Sequence, residues 1–167
     1  IKKICKEKKI YLIEDCAQAH FAKIGNKNVG TFGDISTFSF FPGKPLGCFG
    51  DGGAICTNNK EKYIFMKSYA NHGGIKKHEH NIYGVNSRLD NIQAGILNVK
   101  LKKIHTWNNR RIKIAKINEK NLSKISNVKI PKIRKNFKCI YNNYVIRVPS
   151  RERNKLRKYL FNNNIQT

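Results

Sequence analysis

Residues 35–57 constrain the fold most, because two strand-like apolar runs flank a turn rich in proline and glycine. Asp34–Phe40 alternates with β-branched and aromatic residues, and Gly53–Thr57 is a second apolar run, so both predict strands. Lys44 lies between them on a Pro-Gly turn. Partial burial favours the neutral amine of a lysine, which condenses with aldehydes. Lys44 is therefore a candidate nucleophile, with a solvated loop lysine as the alternative.

A candidate acid lies upstream, at the end of another apolar run. Ile10–Ile13 predicts a short buried strand that ends abruptly in Glu14 and Asp15. A carboxylate in this position commonly points into a functional site. Because side chains alternate along a strand, only one of the two faces the site, and we assign this role to Asp15. The simpler alternative for Asp15 is a turn or capping residue. A lysine and a carboxylate are the pair that pyridoxal 5′-phosphate (PLP) requires.

Capping residues and apolar periodicity predict four helices. They are residues 1–8, a helix after a cap at Asn58 or Asn59, one long helix from Leu89 to Leu122, straight or kinked, and residues 151–162 after a cap at Ser150.

The remaining elements complete an α/β pattern. Asn26–Gly33 predicts a loop or tight hairpin, and Tyr144–Val148 predicts a strand that Pro149 ends. Strands interleaved with helices predict an α/β fold with a mostly parallel sheet, followed by a smaller α+β part. We place the boundary between residues 1–122 and residues 123–167.

The formal charge of +24 raises the alternative of a nucleic-acid-binding module. Residues 1–75 hold eleven basic and six acidic residues, and the remainder holds 23 and four. The basic residues are scattered among isoleucine and asparagine without a compact cluster. Biased codon usage explains this spread more simply, so nucleic acid is not the partner we predict.

Cysteine and histidine spacing does not indicate a metal site. The five cysteines are odd in number and form no Cys-x-x-Cys pair, which is typical of a reducing compartment such as the cytoplasm. His78 and His80 flank Glu79, but a His-x-His pair without a third ligand is weak evidence for a metal. No apolar run approaches the ~20 residues of a membrane span.

Four segments, in this order, resemble the DegT/DnrJ/EryC1/StrS family of PLP-dependent sugar aminotransferases. They are Glu14–His20, Phe38–Lys44, Gly50–Ala54 and Tyr83–Ala94. The resemblance implies a fold-type-I aminotransferase in which Lys44 carries PLP and shuttles the proton. It further implies that the cofactor is bound by Asp15 at the pyridine nitrogen, Ala17 on the ring face, Gln18 at the ring oxygen, Ser39 at the phosphate, and Asn86 at the phosphate of a neighbouring subunit.

The family resemblance also implies an activity and an assembly. Its members move an amino group, commonly from glutamate, to a nucleotide-linked keto sugar, and Asn86 would make the protein a homodimer with shared sites. Family chains are more than twice as long, so we expect an internal piece that comprises part of the large domain and the start of the small one. A truncated, non-catalytic remnant is therefore a second alternative, beside the nucleic-acid-binding module.

Overall fold

The computed structural model describes residues 1–167 as five α-helices and six short strands. The helices are α1 (Lys2–Glu7), α2 (Lys60–Tyr69), α3 (Asn91–Leu101), α4 (Ile104–Leu122) and α5 (Ser150–Asn162). The strands are β1 (Ile13–Asp15), β2 (Lys23–Ile24), β3 (Lys27–Asn28), β4 (Ile35–Ser39), β5 (Gly53–Cys56) and β6 (Phe137–Lys138). None of the helices combines the length and the apolar character needed to cross a bilayer.

Two three-stranded sheets organise the chain. In the first, β4 lies between β1, which is parallel to it, and β5, which is antiparallel. In the second, β2 pairs with β3 on one side and with β6 on the other, both antiparallel. The α/β class is confirmed, but these strand pairs are not mostly parallel as predicted. The pairing of β6 with β2 also joins residues on both sides of the boundary placed after residue 122, which stays a prediction.

The first strand begins later than predicted and is not buried. Residues 10–12 lie outside β1, and Ile10 and Ile13 are both 61% exposed. The Leu12 N–H donates to Asp34 Oδ2 at 2.8 Å instead of to a neighbouring strand. The sheet ladder therefore starts only at Ile13, whose Cα partner is Ile35.

The long helix predicted over residues 89–122 is two helices, α3 and α4. At the break, the Lys103 N–H bonds to the Lys100 carbonyl three residues back, at 2.9 Å. This tighter turn separates the two helices, and Ile104 at the start of α4 is fully buried. Apolar periodicity continues through both helices, so it cannot reveal such a break.

The strand predicted over Tyr144–Val148 is absent, and only one β-bridge joins Arg147 to Lys129. A longer antiparallel ladder would next pair with Pro131, which has no N–H to donate. Ser150 is also not a cap, because it is the first residue of α5 and makes no capping hydrogen bond. The cap predicted for α2 is confirmed at Asn59, whose Oδ1 accepts the Lys62 N–H at 2.8 Å.

A small apolar cluster lies beneath the turn that carries Lys44. It contains Leu46 and Cys48 from that turn, Leu97 from α3 and Ile104 from α4. Phe21 and Phe40 pack against its edge. The cluster therefore fixes the segment after β4 against the two consecutive helices.

Candidate active site

The candidate site lies where β1 and β4 end. Because these strands are parallel and adjacent, their carboxyl ends meet at the same edge of the sheet. The turn after β1 stays attached there, since the Cys16 N–H donates to the Thr37 carbonyl at 2.8 Å. Ligands of open α/β sheets commonly bind outside the carboxyl ends of strands. Asp15, Ala17, Gln18, Ser39 and Lys44 are all placed at or just beyond this edge.

The two acids at the end of β1 have different surroundings. The Glu14 carboxylate accepts main-chain N–H groups from Gly30 at 2.8 Å and from Phe32 and Gly33, each at 2.6 Å. It is therefore fully engaged with the loop before β4. Asp15 is exposed, and its Oδ1 accepts only the Ala17 N–H at 3.0 Å. The predicted opposite orientation of these side chains is confirmed, and Asp15 is the acid that is free for a ligand.

Ser39 lies on the same face of the sheet as Asp15. Asp15 is opposite Thr37 in the parallel register, and Ser39 follows Thr37 by two residues, which returns its side chain to that face. The Ser39 hydroxyl is half-buried and accepts the Phe41 N–H at 3.3 Å. Its own proton remains available to a ligand.

Lys44 is half-buried in the turn that follows β4. Its N–H donates to the Phe41 carbonyl at 2.9 Å, which closes the turn. Its side-chain amine forms neither a hydrogen bond nor an ion pair. An amine without a partner is suited to covalent attachment of an aldehyde.

His20 is a site residue that sequence reasoning did not single out. Its side chain is 3% exposed and packs on the rings of Phe38 and Phe40, with centroid distances of 5.6 and 5.9 Å. Burial lowers its pKa from the ordinary value of 6.5, the Ser39 carbonyl opposes this shift, and the charge of Lys44 adds to it. Neither ring nitrogen reaches a partner at hydrogen-bonding geometry. His20 is thus a buried, uncharged side chain close to Ser39 and Lys44. In the sequence, only its position within the Glu14–His20 segment pointed to it.

Cys16 does not compete with Lys44 as a nucleophile. Burial raises the pKa of its thiol to about 11, and the charges of Glu14, Asp15 and Cys56 add to the effect. The thiolate is the reactive form of cysteine, so Cys16 is inert near neutral pH. All five cysteines of the chain are free thiols.

The remaining predicted residues lie at two places. Ala17 and Gln18 form the turn directly after Asp15, with Ala17 half-buried and Gln18 exposed. Asn86 lies on a separate segment held against the end of α2, where it forms a β-bridge with Asn71. The Asn86 side chain is exposed and makes no hydrogen bond. Five of the six predicted residues therefore share one sheet edge, and Asn86 is not brought to it.

The groups at this edge fit the polar groups of PLP. The unpaired Lys44 amine suits an aldehyde, the free oxygen of Asp15 suits a protonated ring nitrogen, and the Ser39 hydroxyl suits a phosphate. This set of groups is therefore suited to holding PLP.

The whole chain, residues 1–167, matches the model of the DegT/DnrJ/EryC1/StrS aminotransferase family, and the protein belongs to this family. It is 42% identical over 169 residues to dTDP-3-amino-3,6-dideoxy-alpha-D-galactopyranose transaminase of Aneurinibacillus thermoaerophilus, covering 100% of this chain and 45% of that protein. It is 38% identical to UDP-2-acetamido-2-deoxy-3-oxo-D-glucuronate aminotransferase of Pseudomonas aeruginosa, covering 86% and 40% respectively.

The chain is also similar in fold to a solved structure. The chain superposes on the structure of NtdA from Bacillus subtilis with its bound cofactor PMP, with a TM-score of 0.85 and 27% identity. That match covers 99% of this chain and 38% of the other. The chain therefore spans less than half the length of each of these three proteins.

Proposed function

We propose that the protein is a PLP-dependent aminotransferase that moves an amino group, from glutamate, to a nucleotide-linked keto sugar. The observation that carries the proposal is the shared edge of β1 and β4, where an unpaired lysine amine lies with an exposed carboxylate and a hydroxyl. Family membership and the sugar nucleotides named for two of its relatives support the substrate class.

Each residue has a separate role in this proposal. PLP, when bound, supplies an aldehyde for covalent linkage and an electron-withdrawing ring. Asp15 would accept a charge-assisted hydrogen bond from the ring nitrogen and keep it protonated, while Ser39 would donate to the phosphate. Ala17 would pack on the ring face, and the Gln18 amide would donate to the ring oxygen.

Lys44 has two successive roles. Its amine would hold PLP through the aldehyde. When it is not linked to PLP, the same amine would act as the base that holds and moves a proton at the substrate carbon. The second role requires the amine to stay close after release, which the closed turn at Phe41–Lys44 favours.

The proposal extends to the assembly and the setting. Asn86 is exposed and lies on the segment bridged to Asn71, not at the ends of β1 and β4, which suits a residue that reaches the cofactor phosphate of a second protomer. The protein would then be a homodimer with shared sites. Its free cysteines suit a reducing compartment, and we place it in the cytoplasm.

Borohydride reduction in the presence of PLP tests the central step. We expect a single pyridoxyl adduct on the peptide that contains Lys44, identified by mass spectrometry, and its loss in Lys44→Ala. Lys27→Ala is the matched control, because Lys27 is an exposed lysine at a hairpin turn. An adduct at another lysine, or none in the folded protein, contradicts the proposal and favours a non-catalytic remnant.

A further inference from the structure

One face of α3 holds the turn that carries Lys44. Gln93, Leu97 and Lys100 are spaced at i, i+4 and i+7, so their side chains lie on the same side of the helix. All three meet residues 46–49, which directly follow Lys44 and its neighbour Pro45. Gln93, Leu97 and Lys100 therefore form one stripe along α3, and its three different side chains hold residues 46–49.

The three contacts are specific. The Phe49 N–H donates to Gln93 Oε1 at 2.8 Å. Leu97 is buried with Leu46 in the apolar cluster. Lys100 Nζ donates to the Gly47 carbonyl at 2.5 Å and also lies 4.6 Å from the centroid of the Phe49 ring. The ammonium of Lys100 therefore makes both a cation–π contact with the Phe49 ring and a hydrogen bond to the Gly47 carbonyl.

Gly47 connects the Lys100 hydrogen bond to the turn that carries Lys44. A Cβ at Gly47 would lie 2.6 Å from the carbonyl oxygens of both Phe41 and Pro42. The main chain at Gly47 therefore folds directly back on the residues before Lys44, and the Phe41 carbonyl also accepts the Lys44 N–H. Fixing the Gly47 carbonyl fixes the turn on which Lys44 lies.

Lys100 differs from the other lysines of this basic chain. Most of them are exposed, whereas Lys100 is half-buried and is the lysine whose amine donates to a main-chain carbonyl. A surface lysine has no need for such a partner. Together with its place on the stripe, this contact marks Lys100 as a structural element of the Lys44 turn.

We propose that Lys100 is a positioning residue for Lys44, and that it acts by clamping the Gly47 carbonyl and the Phe49 ring. The inference rests on the proposed function, in which the Lys44 amine must meet an aldehyde and then remain nearby as a base. Reactive groups gain most of their rate from being held at the right distance and angle. If the turn were released from α3, the Lys44 amine would spend less time in the position that reacts with the aldehyde.

The test compares four proteins. Lys100→Met keeps the aliphatic stem and removes the donor and the charge, while Lys100→Arg keeps both. Lys102→Met is the matched control, because Lys102 is an exposed lysine at the end of α3 that makes none of these contacts. If Lys100→Met does not fold, Lys100→Gln takes its place, since its shorter amide cannot span the same distance.

Amide hydrogen exchange is the first readout and needs no cofactor. Loss of the clamp should speed exchange at the Cys48 and Phe49 amides in Lys100→Met by about tenfold, as expected for local opening. Lys100→Arg and Lys102→Met should match the wild type, as should the α2 amides in every variant. Unchanged exchange at residues 48 and 49 in Lys100→Met overturns the proposal.

The second readout is the rate at which borohydride traps PLP on Lys44 at limiting PLP. We expect this rate to fall about fivefold or more in Lys100→Met and to recover in Lys100→Arg, since the clamp sets how often the amine is presented. An equal rate in Lys100→Met also overturns the proposal. If the wild type forms no adduct on Lys44, the proposed function fails, and with it the positioning role, while exchange still decides whether the clamp exists.

Discussion

At the scale of single residues, the two adjacent carboxylates at the end of β1, Glu14 and Asp15, differ in how many hydrogen bonds they accept. Glu14 accepts three main-chain N–H groups, whereas the adjacent Asp15 accepts one. The alternation of side chains predicts that Asp15 faces the candidate site, and the contacts of Glu14 with the loop agree with this prediction. The partners of Glu14 lie 16 to 19 residues away in the chain, so no local pattern could have indicated them.

Glu14→Gln should destabilise the fold while leaving Asp15 in place. An amide offers one acceptor oxygen in place of two and turns an N–H donor toward the loop, so a main-chain N–H loses its partner. We expect a loss of about 1–3 kcal/mol in the free energy of unfolding, measured by urea denaturation.

Glu7→Gln is the control for this substitution. Glu7 forms only an exposed ion pair with Lys3 at 3.9 Å. The free energy of unfolding of the Glu7→Gln variant should therefore stay within about 0.5 kcal/mol of the wild-type value. Equal losses in both variants would show that the contacts of Glu14 with the loop are not what stabilises this edge.

His20 should make the stability depend on pH in the acid range. Because burial lowers its pKa, the unfolded state binds a proton more readily than the folded state. The stability is therefore complete above the ordinary value of 6.5 and declines as the pH falls below it. His20→Phe, which retains a ring between Phe38 and Phe40, should flatten this decline in urea denaturation at pH 5 and pH 7.5.

His78→Asn is the matched control for His20. His78 is exposed and has a φ of 66°, a conformation that asparagine tolerates. Its removal should leave the decline unchanged. A decline of the same size in His20→Phe as in the wild type would mean that another group titrates with folding.

At the scale of elements, local signals predicted the helices and β4 and β5 better than the other strands. The cap at Asn59 and the strands β4 and β5 follow from residues within a few positions of each element. The start of β1 depends on Asp34, and the absence of a strand after Tyr144 depends on Pro131. These partners are distant in sequence, which is why the pattern of each run alone was misleading.

Asn59→Ala should destabilise α2 through its first turn. The Lys62 N–H loses the acceptor that the Asn59 side chain provides, and such caps contribute about 1 kcal/mol to the free energy of unfolding. Asn58→Ala is the control, because the exposed Asn58 makes no capping bond. Urea denaturation should show a clear loss only for Asn59→Ala, and equal midpoints for the two variants would exclude the cap as a source of stability.

At the scale of the whole molecule, a homodimer with shared sites, as proposed above, predicts complementation between two defective subunits. Lys44→Ala and Asn86→Ala should each be nearly inactive as homodimers. In a mixed dimer, the intact Lys44 of one subunit meets the intact Asn86 of the other at one of the two sites. Random exchange of equal amounts should therefore restore about a quarter of the wild-type activity.

The transamination activity of the mixture is measured before and after the two variants are unfolded and refolded together. Activity that stays at the mean of the separate variants would show that Asn86 serves the site of its own subunit, or none. Native mass spectrometry of the mixture confirms that mixed dimers have formed. This control separates failed exchange from an unshared site.

The parallel pairing of β1 with β4 has an evolutionary consequence. Asp15 and Ser39 are attached to points that main-chain hydrogen bonds hold in register, whatever side chains surround them. Turns beyond the strand ends can therefore diverge while the acid and the hydroxyl keep their separation. If the proposed function holds, one scaffold can in this way accept different substrates and keep the same amino-transfer chemistry.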